Sequence, residues 1–164
     1  MVRLLFVFMT SFSLCYLSLW GTAGSVSPLF NNVNPVIFVL GALFGALSLA
    51  FFNYVEGVMK DVLKKLKQRK PTAYVMVINS LTDLKSEVIV NVVLVVVFLM
   101  VAFVVGAIGD MEFLQKFEHV KYWIWAALSV RGACLFSVLV VMFVQLAGFV
   151  TANKLRAEIS MYDE

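Results

Sequence analysis

Acidic residues are missing from every long apolar run of this chain, and that absence restricts the chemistry it can perform. With no carboxylates inside those runs there is no paired acid–base site at membrane depth. A Ser-His-Asp set and a glycine-rich nucleotide loop are missing too, so no enzymatic activity is expected. Histidine occurs once, at His119 in a polar loop, which suggests neither haem nor zinc. The two cysteines, Cys15 and Cys134, fall in apolar runs without C-x-x-C spacing or a nearby histidine. They read as small packing residues, not as a redox or metal motif, and no cofactor or metal is expected.

Charge in general is scarce, at 14% of residues against 62% hydrophobic. Soluble domains run at about 25% charged and about 45–50% apolar. A water-soluble fold of 164 residues has no means of hiding so much apolar surface, whereas a bilayer solvates it. The expected class is an all-α integral membrane protein: one domain over residues 1–164, with four transmembrane helices.

Four apolar runs carry that expectation, at about residues 3–20, 36–55, 88–109 and 122–151. The first follows Arg3 and precedes a small-residue stretch, features that also suit a cleaved signal peptide. We read it as retained and spanning. Residues 25–35 carry Pro28, Asn31, Asn32, Asn34 and Pro35 and no charge, which predicts a loop, with Asn34 capping a helix that starts at Pro35. The second run contains Gly41-x-x-x-Gly45, with Ala42 and Ala46 offset by one. Such a face lets another helix approach closely, within the chain or from another subunit.

Between the second and third runs lies nearly all the charge available to a soluble partner. Val58, Met59, Val62, Leu63 and Leu66 recur at spacings of three and four, while the basic residues fall mainly elsewhere, which predicts an amphipathic helix. After Pro71, Val77, Leu81, Leu84 and Val88 form an a/d seam. Residues 56–87 therefore read as a cytoplasmic helical hairpin that extends spans 2 and 3. In a hairpin turning near residue 71, Asn53 and Asn91 face one another at the membrane boundary, as a polar clasp or as a hydrophilic ring in an oligomer.

Lysine and arginine placement sets the orientation. Arg3, seven residues between 56 and 87, and Lys154 and Arg156 make ten on one side, against Lys116 and Lys121 on the other. Both termini and the hairpin are therefore expected in the cytoplasm. Tyr122, Trp123 and Trp125 open the fourth span as an interfacial aromatic belt.

Three groups of residues are candidates for function. Lys60, Lys64, Lys65, Lys67, Arg69 and Lys70 form a basic cluster that serves as topology signal and headgroup contact, or docks an acidic protein face. Nucleic acid is the least favoured partner, because aromatic residues are not interleaved with the charges. Asn53, Asn91, Arg131 and Gln145 are intramembrane polar positions. Arg131 either snorkels toward Glu112 or Glu118, or belongs to a polar pathway or inter-subunit contact. Its face, with Cys134, Val138, Val141, Gln145 and Gly148, is small or polar and is expected to point inward or at a neighbour. Gly41 and Gly45 are the helix-packing pair. Thr10, Ser11, Ser13 and Ser18 line a pore or bond their own helix.

The layout of four spans, cytoplasmic ends, a basic hairpin between spans 2 and 3 and a short tail resembles that of the KwaA-like membrane subunits of the Kiwa bacterial anti-phage defence system. The resemblance implies a homo-oligomer of the inner membrane, with a tetramer favoured. It further implies a sensor of an envelope or infection signal that holds a KwaB-like cytoplasmic effector protein. Claudin-like tetraspans are set aside, since an extracellular cysteine pair and a long first outer loop are both missing. The reading from residues alone leaves a second function open: a small ion channel or pore-forming effector.

Overall fold

A computed structural model describes residues 2–31, 33–65, 71–109 and 120–161, all helical apart from the turn at residues 22–26. The helices are α1 (Val2–Gly21), α2 (Ser27–Asn31), α3 (Val33–Lys65), α4 (Pro71–Gly109) and α5 (Val120–Met161). Four of them, α1, α3, α4 and α5, are long and apolar enough to cross a membrane. Valine-rich α4 remains helical because, in lipid, the backbone has no hydrogen-bond partner except itself.

Large hydrophobic side chains are exposed along all four, among them Phe6 and Leu14 on α1, Val39 on α3, Met100 on α4 and Phe143 on α5. In water a surface of this kind drives aggregation; acyl chains match it. Only 11–33% of each apolar window is buried.

The chain divides into two compact units. The first comprises Met1–Ala42 and Leu94–Val141. Its core gathers Val33 and Ile37 of α3, Ala102 of α4 and Cys134 of α5, with Phe8 and Phe98 stacked at 5.9 Å against them. A second cluster holds Leu19, Trp125 and Leu128. Gly132 is closely covered: a Cβ there would stand 2.9 Å from Cys15 Sγ and from Phe30. Both cysteines are free and buried, as packing residues should be.

Helix α1 ends in a Schellman motif. Gly24 N–H donates to the Leu19 carbonyl at 2.8 Å and Ala23 N–H to that of Trp20 at 3.1 Å. Ala23 occupies the left-handed position at φ 49°, where glycine is usual, and Gly24 follows at φ 88°.

The second unit comprises Leu43–Val93 and Met142–Glu164. Its core is built from Phe51, Val55 and Val58 of α3, Leu81 and Val88 of α4, and Ala152 of α5. Leu81 and Val88 are buried and Val77 and Leu84 pack beside them, so the seam read from the sequence is the buried face of α4.

The described elements depart from expectation in three places. The loop at 25–35 contains α2, and α3 starts at Val33, so Asn34 is the second residue of a helix and not its cap. Pro35 fits there because the first helical turn requires no N–H from it. At the other end, α5 continues to Met161 instead of stopping near 151. Ala152 is fully buried and Leu155 packs beside it, so the tail is held as helix by an apolar stripe that outlasts the hydrophobic run. The clasp between Asn53 and Asn91 is the third departure, described with the polar positions below.

Candidate functional site

Among the described residues, the polar chemistry of the first unit centres on Arg131. The side chain is 6% exposed, and its Nη2 donates to the main-chain carbonyl of Asn31 at 3.1 Å. Asn31 is the last residue of α2, and the final carbonyls of a helix have no donor within it. Arg131 fills the gap. The guanidinium turns onto the end of α2. Glu112 and Glu118 lie outside the described residues. On the same face Cys134, Val138 and Val141 are fully buried, so it points inward within its unit, as expected. Arg131 Nε and Ser137 Oγ are buried without a partner.

Of the four hydroxyls singled out on α1, three bond their own helix, and no bond of Ser11 is described. Thr10 bonds the Phe6 and Val7 carbonyls, Ser13 that of Met9 and Ser18 that of Leu14, each at 2.8–3.0 Å. Satisfying a hydroxyl within its own helix is the common outcome in apolar surroundings.

In the second unit Gln145 is buried and pairs with Ser48. The Nε2 amide donates to Ser48 Oγ at 2.9 Å. Ser48 has one proton and two candidate acceptors, the Phe44 carbonyl at 2.8 Å and Gln145 Oε1 at 3.3 Å. The shorter contact takes it. Ser48 was missed in the sequence, although it falls in the 44, 48, 51, 55, 58 series of buried α3 positions. Gln145 also borders an apolar groove of about 340 Å³ lined by Phe51, Tyr54 and Phe149.

Asn53 and Asn91 do not form the expected clasp. Asn91 is 6% exposed, Asn53 is exposed, and no hydrogen bond joins them. The helical faces account for this. Asn53 lies off the series of buried α3 positions, whereas Asn91 continues the 77, 81, 84, 88 seam of α4.

Gly41 and Gly45 differ in the same way. A Cβ on Gly41 would fall 2.7 Å from Leu99 Cδ1, so Gly41 is a packing residue; around Gly45 there is open space. Ala42 and Ala46 are exposed.

Of the basic cluster, Lys60 pairs with Glu56 at 3.4 Å, one helical turn back and largely exposed. A pair of that kind contributes little to stability. Lys64 and Lys65 lie at the end of α3, and only their backbone is described; Lys67, Arg69 and Lys70 lie outside the described residues, as does the turn of the expected hairpin. Further cations on this unit sit over rings: Lys85 Nζ is 4.3 Å from the centre of Phe52, and Arg156 stands 5.7 Å over Tyr54. Tyr54 donates to Asn153 Oδ1 at 2.7 Å. Toward its start, α4 exposes two large apolar side chains, Val75 and Met76.

The described residues contain no group of His, Cys, Asp or Glu able to hold a metal ion. Comparison with protein-family models, with curated proteins and with solved structures finds no match to this chain.

Proposed function

We propose that this protein is a non-enzymatic inner-membrane subunit that self-associates and recruits a cytoplasmic effector protein through its basic segment, relaying an envelope or infection signal in anti-phage defence. The observation that carries the reading is the construction of the second unit. Helices α3 and α4 run well past the length a bilayer requires. There they pack on each other through Val58, Met59, Val77, Ile78 and Leu81. The same stretch exposes Val75, Met76 and Lys60. Exposed apolar side chains in a segment whose sequence carries six basic residues from Lys60 to Lys70 suit an acidic partner with a hydrophobic anchor.

In this reading the termini and residues 56–87 face the cytoplasm, following the basic-residue asymmetry. A rigid extension of two membrane helices conveys tilt or rotation of the spans to whatever binds its tip. A KwaB-like subunit is the partner that the family resemblance implies. The channel reading has less support, since Gln145 and Asn91 are buried and Thr10, Ser13 and Ser18 bond their own helix.

Co-purification with the candidate effector tests the proposal. Replacing Lys64, Lys65, Lys67 and Arg69 by Glu should abolish recovery of the partner while leaving membrane insertion intact. Unchanged recovery overturns the docking role of the segment.

A further inference from the structure

In the second unit, α3 and α4 leave a groove of about 440 Å³ between Gly45, Ser48, Leu49 and Phe52 on one side and Val88 and Val92 on the other. Gly45 leaves open space where another residue would place a side chain. Ser48 is the one polar residue of the lining. Its proton goes to the Phe44 carbonyl and its oxygen accepts from Gln145. The walls therefore offer an entrant apolar contact and little else.

One end of this groove carries a cation. Lys85 Nζ stands 4.3 Å from the centre of the Phe52 ring, and Phe52 is one of the walls. No carboxylate pairs with Lys85 among the described residues. Asp83 and Glu87 stand two residues away on either side, a spacing at which helical side chains do not face each other. Three and four residues away are Leu81, Thr82, Val88 and Ile89. On α3, Glu56 pairs with Lys60, and Asp61 comes about 13 Å past Phe52 along the axis. On α5, the Tyr54–Asn153 bond sets the level, and Glu158 comes about 10 Å past that of Phe52. The apolar run of α4 opens at Val88, three residues after Lys85, which sets the ammonium at headgroup level.

We propose that this groove binds one anionic phospholipid, with an acyl chain between α3 and α4 and the phosphate on Lys85. Charge complementarity selects this occupant. A second copy of the chain can cover the apolar walls with a helix face, but that leaves the cation at their end unanswered. A phospholipid carries both parts, an apolar chain and, at its head, an anionic acceptor. The Phe52 ring covers one side of the ammonium, which keeps N–H donors for the phosphate. A headgroup with its own ammonium, as in phosphatidylcholine, competes with Lys85 for that phosphate; the glycerol headgroup of phosphatidylglycerol does not.

Native mass spectrometry of the full-length protein in neutral detergent, titrated with palmitoyl-oleoyl phosphatidylglycerol or phosphatidylcholine, tests this. One phosphatidylglycerol per chain is expected to bind first, about fivefold more tightly than phosphatidylcholine. Lys85→Gln should abolish that preference. Gly45→Leu, which fills open space and so leaves the fold intact, should weaken both lipids alike. A photo-crosslinking residue in place of Ile89, which lines the groove and is exposed, should capture lipid in vesicles containing phosphatidylglycerol. Four results overturn the inference: equal binding of the two lipids by the wild type, a retained preference in folded Lys85→Gln, undiminished binding in folded Gly45→Leu, or capture of a second copy of the chain and no lipid from position 89.

Discussion

Gly41 and Gly45 stand one helical turn apart on α3 and meet opposite surroundings, the first pressed against Leu99 and the second facing open space. A methyl group on Gly41 must displace the Leu99 side chain. Gly41→Ala is therefore expected to destabilise by about 1–3 kcal/mol, as overpacking does. Gly45→Ala should stabilise the monomer by up to about 1 kcal/mol through helix propensity. Detergent-induced unfolding measures both. If Gly45 with Ala42 and Ala46 forms a subunit contact, as self-association requires of some exposed face, Gly45→Leu will lower the oligomer fraction in size-exclusion chromatography with the monomer still folded.

The Arg131–Asn31 bond closes the end of α2. Arg131→Gln leaves the Asn31 carbonyl without its donor, at an expected cost of about 1–3 kcal/mol. Detergent-induced unfolding measures it, and an unchanged stability would show that the bond contributes nothing.

At the end of α1, Ala23→Gly should stabilise by about 1 kcal/mol, because φ 49° strains any residue with a Cβ. Gly24→Ala should do the reverse and more. Its Cβ would sit 3.0 Å from Trp125 Nε1 in a conformation at φ 88°. Thermal unfolding followed by Trp fluorescence reports both.

For the buried pair in the second unit, the two truncations are not equivalent. Ser48→Ala strands the amide of Gln145 and should cost about 1–3 kcal/mol. Gln145→Leu removes the amide while Ser48 retains its bond to Phe44, and is expected to be close to neutral. The double variant should resemble Gln145→Leu alone. A larger loss in Gln145→Leu than in Ser48→Ala would contradict this assignment of donors.

The spans were legible because bilayer thickness and backbone satisfaction leave a run of apolar residues little choice but helix. The seam at 77, 81, 84 and 88 was legible from its period. The position of Asn91 followed from the same period, yet counting opposites across a hairpin concealed it. That method sets level along the axis and ignores face, and Asn53 lies off the buried series of α3. The extension of α5 was hidden because hydropathy fades after Thr151, while Ala152 and Leu155 keep the helical spacing. Arg131 was visible as an outlier. Its partner was not, since a backbone carbonyl has no letter in a sequence.

The bond between Arg131 and the end of α2 has a consequence for how this chain changes over time. Its acceptor is main chain, so it is set by where the helix stops and not by the side chain at 31. Descendants are expected to vary freely at position 31 while keeping arginine at 131, and to keep the number of residues in α2, since an insertion or deletion there moves the carbonyl away.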